Sequence, residues 1–250
     1  MADVESSNVV GYTGKTVEAG KYYLIGTQFD KAGEATGAID MNDLVSLSSE
    51  IVPGTYDDDF ATAPMIQVLN ASGSGYNLYY YISDATDSDD TPLGYNCWAD
   101  TDGYELSEAD RLSLGKGFWF KSQVSGTVTI SGEVLGSASK VVNFPGAQFY
   151  IMANPYPKAV SLANVATSGV TPGLYDDDFA TAPMIQVLNS SATGYNLYYY
   201  ISDATDSNDD PIGYNCWADT DGYVLEGTQV DAGASFWIKS ATAGSIGFSL

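Results

Sequence analysis

Two acidic stretches, DATDSDD from Asp84 and DTDG from Asp100, bring Asp84, Asp87, Asp89, Asp90, Asp100 and Asp102 close together in sequence. Both stretches recur later in the chain, supplying Asp203, Asp206, Asp209, Asp210, Asp219 and Asp221, with Asn208 standing where Asp89 stands. Hard oxygen donors beside a glycine that allows a sharp turn suit calcium, Ca2+. The spacing is not that of an EF-hand loop, and Asp and Ser also build ordinary turns by bonding their own backbone. Calcium ligation and plain turn formation are therefore both open.

Other chemistry is largely excluded. The chain has no histidine, which removes the commonest general base, the usual zinc ligand and the Ser-His and Cys-His nucleophile systems. It has no Gly-rich phosphate loop with its lysine and no Cys-x-x-Cys pair. Paired carboxylates can cleave a glycosidic bond, and Asp57, Asp58 and Asp59, or Asp100 and Asp102, are available. Every one of these has a second copy, however, and that would require two complete sites. The ADTDG stretches at Ala99 and Ala218 approach an aspartic-protease signature but insert an aspartate between threonine and glycine. We expect no enzyme.

Nine Lys and Arg against 32 Asp and Glu give a formal net charge of −23, which repels nucleic acid and anionic membranes. No run of about 18 apolar residues is present, so no membrane span is expected. Such an acidic surface suits a secreted protein, a calcium binder or a salty milieu that screens self-repulsion. The opening MADVESSNVVGYT lacks a basic, apolar leader and is expected to lie near a processed end.

The aspartates belong to a repeat. Residues 53–106 match residues 172–225 at all but eight of 54 positions. Flanking segments correspond more loosely, GKGFWFKS from Gly115 with GASFWIKS from Gly233, and AGKYYLIGTQF from Ala19 with PGAQFYIMANPY from Pro145. Within the repeat, GYNLYYYIS alternates with period two, placing Tyr76, Leu78, Tyr80 and Ile82 on one face and Asn77, Tyr79, Tyr81 and Ser83 on the other. MIQVLN, GFWFKS, GTVTISGEV and KYYLIG are likewise short, β-branched or aromatic, and bounded by turn residues. Only the stretches after Asp40 and after Val160 suggest a turn or two of helix. The fold expected is all-β, as two tandem β-sandwich domains of jelly-roll or Ig-like type related by internal duplication, residues 1–134 and 135–250.

The face carrying Tyr76, Leu78, Tyr80 and Ile82 is expected to be core, which turns Tyr79, Tyr81, Tyr198 and Tyr200 outward as protein interfaces or sugar-stacking platforms. Cys97 and Cys216 occupy equivalent positions. A disulfide between them requires Cα atoms within about 7 Å; a link to a neighbouring chain or a buried free thiol are the alternatives, and the buried thiol is favoured. Asn70 and Asn189 begin N-x-S tripeptides, taken as markers of exposure.

The first repeat ends in SGEV and runs on into the second, whereas the second ends in GSIGFSL. Asp3 and Val4 fall where Glu133 and Val134 fall. An open edge on the second repeat would then accept residues Asp3 to Val10 of another chain, with Val9 and Val10 in the connecting strand, and build filaments or sheets. The combination NVVGYTGKTVEAGKYYLIGTQF, GYNLYYYISDA, GKGFWFKS and VTISGEV resembles abundant secreted repeat proteins of Verrucomicrobia-like and Lentisphaera-like bacteria. The resemblance implies export and a surface or extracellular role, and carries over no catalytic residue. The function expected is a secreted structural protein that polymerises with copies of itself as a filament, tube or surface layer. The alternative is a calcium-assisted glycan-binding or adhesive module using Trp98, Trp217 and the outer tyrosines.

Overall fold

The computed structural model of the chain describes residues 10–30, 38–107, 112–189, 194–227 and 229–249. Asp3, Val4 and Val9 lie outside the described residues. The protein is all-β, built of several small antiparallel sheets, and it divides into two compact units, Met1–Gly136 and Ser137–Leu250. No helix among the described residues is long and apolar enough to cross a membrane.

The first unit contains β1 (Val10–Val17), β2 (Tyr22–Gly26), β3 (Phe29–Asp30), β4 (Ala38–Ile39), α1 (Met41–Leu44), β5 (Val45–Leu47), β6 (Met65–Leu69), β7 (Tyr76–Ile82), β8 (Cys97–Ala99), β9 (Leu112–Ser113), β10 (Gly117–Lys121) and β11 (Gly126–Val134). One sheet places β11 between β1 on one side and β3 with β5 on the other; a second runs in the order β2-β10-β6-β7-β8; β4 pairs with β9. Period-two alternation turns Val17, Val45, Val128 and Ile130 of the first sheet, and Ile25, Ile66, Val68, Phe118 and Phe120 of the second, into one shared core. Burial of such side chains contributes about 1.5–3 kcal/mol each. The turn after Asp40 is α1, whose first N–H groups are capped by the Asp40 carboxylate accepting from Asn42 N at 2.8 Å.

The second unit repeats this order with β12 (Ser139–Phe144), β13 (Gln148–Ala153), β14 (Val160–Ser161), a 3-10 turn at Leu162–Asn164, β15 (Ala166–Ser168), β16 (Met184–Leu188), β17 (Tyr195–Ile201), β18 (Cys216–Ala218), β19 (Gln229–Val230), β20 (Ser235–Ser240) and β21 (Gly244–Ser249). Its sheets run β12-β21-β15 and β13-β20-β16-β17-β18, with β14 paired to β19. Among the described residues no strand corresponds to β3; Pro155 and Pro157 flank Tyr156 where Gln28 and Asp30 flank Phe29, and proline has no N–H to give to a ladder.

Glu133 and Val134 at the end of β11 pair with Asp30 and Phe29 of the first unit, whereas Ser139–Phe144 of the connecting segment pairs along its whole length with Gly244–Ser249, and β15 takes the other side of β21 at Gly247, Ile246 and Ser245. Each unit's first strand lies at a sheet edge: among the described residues β1 pairs only with β11, and β12 only with β21. Val10, expected in an interface, starts β1 and is 70% exposed.

Candidate functional site

The tyrosines of β7 face the opposite way from the expectation. Tyr79 is buried in the main core and Tyr81 packs against it, its ring 5.5 Å from that of Trp98. In the second unit Tyr198 and Tyr200 are half-buried, with Tyr200 at 5.4 Å from Trp217. The physical reason is that both faces of β7 are covered. The segment after Pro53 crosses the other face, where Ile82, Ala85, Cys97 and Ala99 form a smaller core with Ala63, Phe60 and Tyr80. Hence Cys97 and Trp98, which point to opposite faces, are both buried. Both cysteines are free thiols, Cys97 buried and Cys216 half-buried, and not joined in the disulfide considered as an alternative; burial pushes the Cys97 thiol up to about 11. Trp98 and Trp217 are buried as well, so neither is available to stack on a sugar.

The covering segment is held by backbone and carboxylate together. Gly54 N donates to Tyr81 O and Ser83 N to Gly54 O, each at 3.0 Å. The approach is so close that a Cβ on Gly54 would lie 2.6 Å from Ala63. Asp84 then receives Tyr56 N on Oδ1 at 2.8 Å and Asp57 N on Oδ2 at 3.3 Å. Asp59 and Phe60 follow in left-handed backbone, φ 52° and 56°, a conformation that costs roughly 1–2 kcal/mol per residue outside glycine. Stacking of Phe60 on Tyr80, centroids 4.1 Å apart and 12° from parallel, offsets part of that cost.

Two further turns bring carboxylates beside this segment. Asp87 Oδ1 accepts from Asp89 N and Thr91 N, both at 2.9 Å, which holds its carboxyl below the usual carboxylate range. Asp100 Oδ1 accepts from Asp102 N at 2.9 Å and Tyr104 N at 3.0 Å. The Tyr104 hydroxyl donates to Asp90 at 2.7 Å, and that carboxylate raises its pKa. Gly103 takes φ 83° directly under the Tyr56 ring, where a Cβ would come within 2.9 Å.

Every one of these features recurs 119 residues later. Asp203 receives Tyr175 N at 2.8 Å and Asp176 N at 3.3 Å. Asp206 receives Asn208 N and Asp210 N, Asp219 receives Asp221 N and Tyr223 N, and Tyr223 donates to Asp209 at 2.9 Å. The result in the second unit is a cleft of about 370 Å3 lined by Tyr175, Asp176, Asp203, Thr205, Asp209, Asp221, Gly222 and Tyr223. The same eight residue types occupy the corresponding places in the first unit, Tyr56, Asp57, Asp84, Thr86, Asp90, Asp102, Gly103 and Tyr104.

Of the aspartates considered as calcium ligands, Asp84, Asp87, Asp100 and their copies Asp203, Asp206 and Asp219 direct oxygens to backbone N–H groups, as turn residues do. Asp89 gives its own N–H to Asp87, and Asp102 and Asp221 give theirs to Asp100 and Asp219. Among the described residues no group of three or more Cys, Asp or Glu is arranged to hold a metal ion. The donor set is that of a turn scaffold, with Asp176 and Asp221 among the residues that line the cleft and Asp57 and Asp102 at the corresponding positions of the first unit. A rim of carboxylate acceptors with two phenol rings can receive hydroxyl or ammonium donors.

Sequence reasoning gave no role to Tyr56, Thr86 and Tyr104. A signal for them existed: the eight substitutions between the repeats, at 55, 71, 73, 74, 89, 91, 93 and 105, miss every cleft position. No protein-family model, curated protein or solved structure matches this chain.

Proposed function

We propose that the chain is a non-catalytic, extracellular or cell-surface adhesive module, two β-sandwich domains related by duplication, whose two equivalent clefts bind a hydroxyl-rich ligand such as a glycan. One observation carries this. The outer strands of the two units have diverged while keeping their pairing, so the fold tolerates change, yet all eight cleft positions are the same in both. Exposed Tyr56 and Tyr175 supply ring faces, and the carboxylates accept hydroxyl hydrogens. The resemblance to secreted repeat proteins and the charge of −23 fit an exported protein. Calcium is not required by this geometry and is a variable of the experiment. The test is a soluble-glycan array with and without calcium, followed by calorimetry on the variants Asp102→Asn and Asp221→Asn. Binding by the native chain that weakens in each variant supports the proposal; absence of any glycan ligand defeats it.

A second reading, self-assembly into filaments or sheets, is favoured by the edge of β1, which among the described residues pairs only with β11 and on which Val10 and Tyr12 are 70% and 79% exposed. Electron micrographs of the purified chain distinguish it: ordered polymers that vanish when Tyr12 is replaced by lysine support strand addition, and dispersed particles count against it.

A further inference from the structure

The hairpin between β6 and β7 turns through residues 70–75, with Asn70 N donating to Gly75 O and Gly73 N to Asn70 O, each at 3.0 Å. Asn70 Oδ1 caps the turn, accepting from the Ser72 hydroxyl at 2.8 Å and from Ser74 N at 3.2 Å. Asp87 and Asp100 do the same work, accepting from groups two and four residues on. Aspartate is thus what this chain uses where a turn needs only an acceptor. Asn70 differs from it by a carboxamide nitrogen. Among the described residues both side-chain hydrogen bonds of Asn70 fall on its oxygen, so the turn makes no use of Nδ2.

Drift between the repeats isolates the same groups. Of the six hairpin positions three differ in the second unit, Ala71 to Ser190, Gly73 to Ala192 and Ser74 to Thr193, while Asn70, Ser72 and Gly75 return as Asn189, Ser191 and Gly194. Asn70 and Asn189 are the only two asparagines of the chain that open an N-x-S or N-x-T tripeptide. Ser72 is exposed and Asn70 half-buried. A Cβ at position 75 would come within 3.4 Å of Asn70 Nδ2, so the retained glycine keeps the approach to that nitrogen open.

We infer that Asn70 is the acceptor of an N-linked glycan, with Ser72 supplying the hydroxyl by which the tripeptide is recognised. The sugar donor is a lipid-pyrophosphate-linked oligosaccharide. Asn70 Nδ2 bonds to the anomeric carbon, and the bond from that carbon to the pyrophosphate oxygen breaks. The lipid pyrophosphate leaves with the electron pair, and one amide proton is lost to a base. Nothing is oxidised or reduced. The product is still a carboxamide, so Oδ1 keeps its two hydrogen bonds and the turn survives. The hairpin lies at the start of β7 and the cleft at its end, where Ile82 leads to Asp84. Seven residues of strand lie between them, roughly 20 Å, so a glycan on the hairpin leaves the cleft open. The inference rests on export of the chain, which is part of the reading above, and is independent of ligand binding in the clefts.

The full chain secreted from a eukaryotic host that attaches N-linked glycans is the sample, and peptide mass spectrometry is the readout. The peptide carrying Asn70 should gain the mass of a glycan. Ser72→Ala and Asn70→Asp should each abolish that gain, and Ser72→Thr, which keeps the hydroxyl, should retain it. Secreted chain with Asn70 unmodified overturns the inference, as does modification that persists in Ser72→Ala. Urea unfolding of the unglycosylated chain checks the premise. Asn70→Asp keeps the acceptor oxygen and should leave the midpoint unchanged; a lowered midpoint would mean that folding needs the nitrogen, and would overturn the inference too. Failure of the cleft proposal is read separately, by soluble-glycan calorimetry.

Discussion

Replacing Thr167 by valine should destabilise the second unit by about 1–3 kcal/mol, the cost of leaving a buried donor without an acceptor. The indole N–H of Trp217 donates to Thr167 Oγ1 at 3.0 Å, and Trp217 is only 2% exposed. Valine keeps the shape and removes the acceptor. The first unit already shows the result of that loss. Leu47 pairs with Val128 where Thr167 pairs with Ile246, and the buried Trp98 Nε1 has no hydrogen-bond partner. Leu47→Thr would offer that partner, gaining about 1 kcal/mol from the hydrogen bond, and would lose a similar amount of apolar burial at about 0.8 kcal/mol per methylene. The two changes are therefore unequal: Thr167→Val destabilises, and Leu47→Thr is close to neutral. Urea unfolding followed by tryptophan fluorescence reads both, because an m-value near 2 kcal/mol/M converts the first into a midpoint shift of roughly 0.5–1.5 M. A midpoint for Thr167→Val within 0.2 M of the native one, roughly 0.4 kcal/mol at that m-value, would refute the reasoning.

Gly103→Ala and Gly222→Ala combine a positive φ with a Cβ under 3 Å from the Tyr56 or Tyr175 ring, so each should cost at least about 1 kcal/mol and displace that ring, seen as a lost aromatic contact in NMR spectra. Burial holds the Cys97 thiol protonated, pushed up to about 11 from an ordinary 9.0; its stabilising contribution is complete below pH 9 and lost as pH rises towards 11, and native-state thiol labelling at pH 8 should be slower at Cys97 than at half-buried Cys216. The Asp87 and Asp206 carboxyls are lowered by backbone N–H donors, so their contribution is present above the ordinary carboxylate pKa and fades as pH falls through the lowered values, with Thr91 and Asp210 amides losing hydrogen-exchange protection first.

Strand content and turn chemistry were legible because each is local. Period two gave β7 and β17, and Asp beside Ser, Thr and Gly gave turns whose carboxylates do cap backbone N–H groups. Orientation was not legible, because alternation says that Tyr79 and Tyr80 point apart and is silent on which side meets the larger core. Gly54 and Asp84 decide it by docking the covering segment over Tyr80, a contact spanning about 28 residues that no window of sequence displays. The partner of the connecting segment was not legible either: that Ser139–Phe144 lies along β21, about 100 residues on, is a long-range pairing that no local pattern displays. The cleft was half-visible, its aspartates through composition and its tyrosines only through positions the repeats never vary.

If each chain carries two equivalent clefts, calorimetry with the best ligand from a soluble-glycan array should give a stoichiometry of two per native chain, falling to one when Asp57 and Asp102, or Asp176 and Asp221, are changed to asparagine. A stoichiometry unaffected by either pair of substitutions would contradict it.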